Sequence, residues 1–293
     1  MRLSEQFIQQ LAAKTGQRLD SYRLNPVSGG DINSAYHLET DSISWFIKLN
    51  QPSLSGMFKA EAAGLKELAD TQTVRVPKVI ACGKTADYAY LVLEYLKLKP
   101  QNSASERLFA QQFAQLHQQK QPFYGWHTDN TIGSTPQYNG RYGNWIEFWQ
   151  QQRLRVQLRI AAENGYGGNL QTMGEKLCAG IGRFFETYSP PPALLHGDLW
   201  GGNIAADANN NPVMFDPACY YGDREADIAM TELFGGFGRD FYAAYQDYYP
   251  LDSGYQTRKT LYNLYHILNH LNLFGRSYLS RAETMIATLL AEL

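Results

Sequence analysis

Cysteine is scarce in this chain: Cys82, Cys178 and Cys219 are the three in 293 residues, far apart and with no C-x-x-C pair. That argues against a disulfide framework or a thiolate zinc site, and it suits a reducing compartment. Long hydrophobic runs are missing too. No window approaches the roughly eighteen uninterrupted apolar residues of a membrane helix, and Met1 to Phe7 has no apolar core of signal-peptide length. A cytoplasmic protein is the expectation. A large charge of one sign is likewise absent, since the net charge is −2. Neither nucleic acid nor an anionic membrane is therefore expected as partner. There is no internal repeat, no low-complexity tail and no Walker A sequence.

What is present is enough chain for two modest lobes around a sizeable core. Its twenty tyrosines read mainly as amphipathic packing material. Near the start, Phe7, Ile8 and Leu11 recur at helical spacing, with Ser4 as cap and Gly16 as stop. Ile43, Trp45, Ile47 and Leu49 then alternate with polar or opposite-facing residues, the period of a strand. Phe58, Ala62, Leu65 and Leu68 predict a helix over 57–69. Strands follow at 76–82, restricted by Pro77 to an edge or a starting position, and at 88–95. These elements describe a small α+β lobe ending at residue 96.

From residue 97 onward the pattern is mostly helical. Helices are predicted over 103–119, 145–163, 170–188, 224–248, 255–274 and 280–292, with Pro190 to Pro192 stopping the third. A hairpin over 203–216 turns at Asn209 to Asn211. The polar stretch from Gln121 to Asn144 is too long for an ordinary connection, which points to a functional role.

Chemistry concentrates in Leu194-Leu195-His196-Gly197-Asp198-Leu199-Trp200-Gly201-Gly202-Asn203 and in Phe215-Asp216-Pro217. His196, Asp198 and Asn203 reproduce the H-x-D-x-x-x-x-N spacing of a kinase catalytic loop, with Gly197 where protein kinases carry Arg. In that template the Asp accepts the proton of the attacking hydroxyl. The Asn, and an Asp one hairpin later, hold magnesium against ATP phosphates. Asp198 is the expected base, Asn203 and Asp216 the metal ligands, and His196 a loop-holding residue. An Asp capping a turn beside Gly197 would not explain why Asn203 and Asp216 follow in this order.

The rest of such a site can be sought independently. Gly29 and Gly30, in Ser28-Gly29-Gly30-Asp31-Ile32-Asn33, let backbone N–H groups approach phosphate; read alone, the segment is a plain hairpin turn. Lys48 in Trp-Phe-Ile-Lys matches the character of the strand that presents a phosphate-binding lysine. Glu61 lies on the apolar stripe of its helix, so it is expected to be buried and to need a cation, and Lys48 is the obvious one. Glu94, Tyr95 and Leu96 fall where a kinase chain crosses between lobes and its backbone reads adenine. Asp223, Glu225 and Asp227 either compensate a helix dipole or, for Asp227, brace the catalytic loop.

The sequence argues against a protein kinase. Ten residues separate Asp216 from Asp227, leaving no activation segment, and no A-P-E occurs. The catalytic loop resembles small-molecule kinases of the aminoglycoside and choline type. Trp200, Phe215-Asp216-Pro217-Ala218, Tyr221-Gly222-Asp223-Arg224-Glu225, Phe234-Gly235-Gly236-Phe237, Leu268 to Asn272, Gly133 to Gln137, and Trp145 through Leu154 narrow the likeness. With these runs the chain resembles the fructosamine/ketosamine-3-kinase family over nearly its whole length.

The resemblance implies a bilobal protein-kinase-like fold, α+β, with lobes at 1–96 and 97–293. It implies ATP- and Mg2+-dependent phosphorylation of the 3-hydroxyl of ketosamines, namely ribulosamine, erythrulosamine or fructosamine adducts on amines or protein lysines. The product is unstable and frees the amine, which is deglycation. The roles of Asp198, Asn203, Asp216, Lys48 and Glu61 carry over, and the Trp200 indole either stacks on the sugar or packs. An aminoglycoside or choline kinase, or a pseudokinase without turnover, are the alternatives. Some family members carry cysteine in the glycine-rich loop. Here Asp31 stands there, so no disulfide switch is expected through it, Asp31 is expected to point away from nucleotide, and oligomeric state stays open.

Overall fold

The computed structural model describes residues 3–27 and 32–293. Helix α1 (Glu5–Thr15) starts where Ser4 accepts the Phe7 N–H and stops at Gly16, whose φ of 68° is left-handed. Five strands form one antiparallel sheet in the order β1-β2-β3-β5-β4: β1 (Arg23–Val27), β2 (Ser34–Glu39), β3 (Ser44–Asn50), β4 (Val79–Lys84) and β5 (Ala89–Glu94). Pro77 lies before β4, which is an edge strand, so no ladder bond is lost at the proline.

The period-2 pattern assigns the two faces of this sheet. Trp45, Ile47 and Leu49 of β3 and Tyr90 and Val92 of β5 pack with Phe7 and Leu11 of α1. Ala89, Leu91 and Leu93 point to the opposite face, where α2 (Ser55–Asp70) lays down Phe58, Leu65 and Leu68. Lys48 sits on that second face with Phe46, because side chains two apart share a face. Its position toward α2 follows from the alternation alone.

Past residue 96 the chain is mainly helical. Helix α3 (Ser103–Leu116) begins with an Asn102/Ser105 capping box. The polar stretch contains a short hairpin, β6 (Asn130–Ile132) with β7 (Thr135–Gln137). The helix predicted over 145–163 is α4 (Trp145–Phe148), a π-helical turn over Trp149–Leu154, and α5 (Arg155–Glu163). Helix α6 (Asn169–Gly180) tightens into a 3-10 turn over Ile181–Phe185. Strand β8 (Ala193–Leu195) pairs with β11 (Tyr220–Gly222), and β9 (Ile204–Ala206) with β10 (Pro212–Met214).

The helix expected over 224–248 is instead two, α7 (Arg224–Leu233) and α8 (Arg239–Tyr248). Gly235 and Gly236, at φ 75° and 105°, break it. The break admits the Trp200 loop: a Cβ on Gly201 would lie 2.8 Å from the Gly236 Cα. Helix α9 (Tyr255–Phe274) runs through the large core, and α10 (Leu279–Ala291) closes the chain against it. Among the described residues no helix is long and apolar enough to cross a membrane.

Candidate active site

Two short pairings carry the site. The β8–β11 ladder and the β9–β10 hairpin leave a loop, residues 196–203, between β8 and β9, and a turn at 215–219 between β10 and β11. Gly197 is fixed in the loop at φ 81°, and a Cβ there would come within 2.1 Å of the Ala218 carbonyl oxygen. Only glycine fits a left-handed position so close to backbone.

Asp227, on the first turn of α7, braces this loop. Its two carboxylate oxygens accept the N–H groups of His196 (2.7 Å) and Gly197 (2.8 Å). His117, at the C-cap of α3, lies 3.3 Å from the same carboxylate. Of the two readings offered by sequence for Asp227, the geometry supports the brace. Its neighbours do other work: Asp223 caps α7 and accepts the Tyr188 and Tyr262 hydroxyls, and Glu225 meets Arg258 in a buried two-pronged ion pair at 2.7 and 3.1 Å.

His196 is fully buried and holds loop to turn. Its Nε2 donates to the Phe215 carbonyl at 3.0 Å, and its Nδ1 accepts the Asp198 N–H at 3.3 Å. Burial pushes its pKa down, so the ring stays neutral. Asn203 donates from its amide nitrogen to the Asp198 carbonyl (2.8 Å) and carboxylate (3.4 Å). Burial raises the Asp198 pKa to about 7, helped by the charges of Asp216 and Asp227 and opposed by the Asn203 bond. A carboxylate tuned near neutrality is suited to accept a proton at working pH.

Lys48 of β3 reaches across to this turn. Its Nζ lies 2.7 Å from Glu61 Oε1 on α2 and 2.6 Å from Asp216 Oδ1. Burial works to lower its pKa, but the charges of Asp216 and Glu61 outweigh that and raise it. Burial pushes Glu61 upward against the pull of Lys48. Asp216 itself stands at φ 58°, a left-handed conformation that costs a non-glycine residue roughly 1–2 kcal/mol.

Asp198, Asn203, Asp216, Lys48 and Glu61 thus converge, from four separate chain segments. The remaining expected positions lie differently. Gly29, Gly30 and Asp31 are outside the described residues. Glu94 uses its carboxylate on Arg75 (2.9 Å), which also binds Asp207 of the β9–β10 turn (2.8 Å), and its N–H on the Lys78 carbonyl. The Tyr95 N–H bonds the Ser44 carbonyl, and its ring stacks on His37 with centroids 3.7 Å apart. Trp200 folds over Gly202 and is still 40% exposed.

Sequence reading missed three buried polar residues behind the turn, Asn130, Gln137 and Arg153. Gln137 and Arg153 fall in runs that carry the family likeness, but no periodicity marks any of the three as buried, because their burial comes from the way residues 121–144 fold back on the site.

The catalytic-loop pattern carries an expectation of magnesium, and the donor set is chemically compatible with one. With its amide nitrogen committed to Asp198, Asn203 offers its Oδ1, and Asp216 is 43% exposed beside it in the chain order of a metal-binding pair. Among the described residues no cluster of three or more His, Cys, Asp or Glu forms a protein cage. Magnesium is characteristically held by one or two protein ligands plus substrate phosphates, rather than by such a cage.

Fold and site together define a kinase of protein-kinase-like fold whose own chain, with ten residues between Asp216 and Asp227, has no room for the activation segment of a protein kinase. The match can be taken further. The family model for fructosamine kinase covers residues 3–292, and the chain belongs to that family. It is 46% identical to a protein of Synechocystis named as a ketoamine kinase, over 95% of this chain and 94% of that one. It is 39% identical to the chloroplastic protein-ribulosamine 3-kinase of Arabidopsis thaliana, over 97% of this chain and 87% of that one. The crystal structure of a Haemophilus somnus protein assigned as a fructosamine-3-kinase superposes with a TM-score of 0.87 at 32% identity, covering 97% and 96% of the two chains. An ADP-bound aminoglycoside phosphotransferase shares the fold, with a TM-score of 0.66 at 14% identity and 98% coverage of both chains.

Proposed function

We propose that this kinase transfers the γ-phosphoryl group of ATP to the 3-hydroxyl of ketosamines, with sugar adducts on amines or protein lysines as substrates and deglycation as the outcome. The observation that carries the reading is Lys48 gripping Glu61 and Asp216 within 2.7 Å, in the cleft where Asp198 is held near neutrality. The substrate class is supported by relatives named for ketoamines and ribulosamines.

In this reading Asp198 takes the proton of the 3-hydroxyl as its oxygen bonds to the γ-phosphorus and the bond to ADP breaks. Lys48, fixed by Glu61, meets phosphate oxygens. Asn203 and Asp216 would hold Mg2+, which neutralises charge on the phosphates when bound. Gly29 and Gly30, outside the described residues, are assigned to the ATP phosphates on their sequence alone. The backbone of Glu94, Tyr95 and Leu96 reads the adenine edge; since the N–H groups of Glu94 and Tyr95 already bond the Lys78 and Ser44 carbonyls, the N–H offered to adenine is that of Leu96. The Trp200 ring, packed on one side and exposed on the other, stacks on the sugar. The lobes divide at 96/97, and the compartment that fits three unpaired cysteines is the cytoplasm.

The test is transfer of labelled phosphate from ATP to ribulosyl-lysine, fructosyl-lysine, kanamycin and choline. Turnover on the first pair is expected. Turnover confined to kanamycin or choline would end the deglycation reading, and none on any substrate would favour a pseudokinase.

A further inference from the structure

The stretch between α3 and α4 has the composition of surface loop, yet Asn130, Gln137 and Asn139 are only 9%, 1% and 1% exposed. Their amides form one connected set of hydrogen bonds. Arg153, on the π-helical turn, donates to Asn139 Oδ1 at 2.8 Å. Asn139 Nδ2 and Gln137 Nε2 both donate to Asn130 Oδ1, at 2.9 and 2.8 Å. The Tyr265 hydroxyl of α9 donates to Gln137 Oε1 at 2.8 Å.

The set ends on two backbone carbonyls. Asn130 Nδ2 donates to the Cys219 oxygen at 2.8 Å, and Gln137 Nε2 to the Ala218 oxygen at 3.1 Å. These residues follow directly on Asp216-Pro217. The Ala218 N–H, for its part, donates to the His196 carbonyl at 2.8 Å. Ala218 is therefore held on one side by the loop that carries Asp198 and on the other by Gln137.

Asp216 needs such restraint. A non-glycine residue at positive φ persists where its surroundings over-determine the backbone. The ten residues between Asp216 and Asp227 leave no long segment to supply that restraint. Buried amides are costly unless fully paired, and when paired they fix one arrangement more sharply than apolar packing does.

We propose that Asn130 and Gln137 are positioning residues, which lock the Asp216–Cys219 turn so that the Asp216 carboxylate stays aligned for the metal and phosphates. The proposal rests on the reading of Asp216 as a metal ligand, and the experiment separates the two. ADP affinity is measured by calorimetry with and without Mg2+, alongside steady-state kinetics, at a temperature where circular dichroism shows each variant folded. Asp216→Asn should abolish the Mg2+-dependent gain in ADP affinity. Gln137→Met should cut that gain and kcat by about ten-fold each, the worth of roughly one hydrogen bond, while KM for the ketosamine holds. Tyr265→Phe, which removes only the outermost hydroxyl, should shift both in the same direction by a smaller factor, and it decides the matter if Gln137→Met does not fold. Wild-type kcat and Mg2+ gain in folded Gln137→Met, or in Tyr265→Phe when that variant must decide, overturns the proposal. An unchanged Mg2+ gain in Asp216→Asn overturns the reading beneath it.

Discussion

Replacing Glu61 by Gln removes one charge from the site and keeps its shape. In the wild type one ammonium is shared between two carboxylates, 2.7 Å from Glu61 and 2.6 Å from Asp216. The Lys48 and Glu61 side chains are 7% and 11% exposed, so solvent screens their interaction little. After the substitution Asp216 holds Lys48 as its sole counter-ion, and phosphate oxygens must compete with it. A hydrogen bond to a charged group contributes about 1.5–3 kcal/mol and a neutral one about 0.5–1.5, so the exchange costs ~1–2 kcal/mol. At 1.36 kcal/mol per decade, that is roughly a five- to thirty-fold fall in kcat/KM for ATP. Fold stability should move less, because the loss of a buried charge also removes its desolvation cost and its repulsion from Asp216. ADP release at saturating ketosamine would be followed for Glu61→Gln, Lys48→Met and the double variant. If the pair acts as a unit, the double variant equals Lys48→Met. Losses that multiply, or a Glu61→Gln enzyme with wild-type kcat/KM, would refute the reasoning.

Three further outcomes are expected. Asp198→Asn should lower kcat by about 10²–10⁴ with nucleotide affinity retained by calorimetry; a loss of affinity with preserved kcat would contradict its role as proton acceptor. Gly197→Ala places a Cβ 2.1 Å from the Ala218 oxygen at φ 81°, so urea unfolding should show a loss above ~2 kcal/mol, the left-handed penalty plus the clash, and a near-neutral result would count against the loop geometry. His266 is pushed down to about 3 by burial, with the nearby charge of His270 adding. Its neutral form is favoured in the fold, so its stability contribution is complete above the usual pKa near 6.5 and is lost as pH falls below it, at ~1.4 kcal/mol per unit. His266→Gln should make unfolding free energy less steep between pH 7 and 5.5 than in the wild type; equal slopes would sink the assignment.

Much of the architecture was legible because its causes are local. Trp45, Ile47 and Leu49 alternate, and the sheet face followed; Glu61 on an apolar stripe implied burial and a cation, and Lys48 is there. The single helix expected over 224–248 failed for a non-local reason. Gly235 and Gly236 lie within a helical pattern, and the chain breaks at them because the Trp200 loop approaches within van der Waals distance. Glu94 was read for its backbone at a crossing between lobes, and only the fold shows that its carboxylate meets Arg75, which also binds Asp207 of the β9–β10 turn.

The sequence by itself determined which residues could do the chemistry, since H-x-D-x-x-x-x-N followed by a hairpin and Asp216 is a spacing along one short stretch of chain. Tertiary structure alone decided that Lys48 bonds Asp216 as well as Glu61, that Asp227 braces the loop, and that amides from residues 130–139 restrain the turn behind it. Those contacts join positions separated by 168, 31 and 81 residues along the chain. Periodicity reports which side of an element faces inward, but not which distant group it meets there.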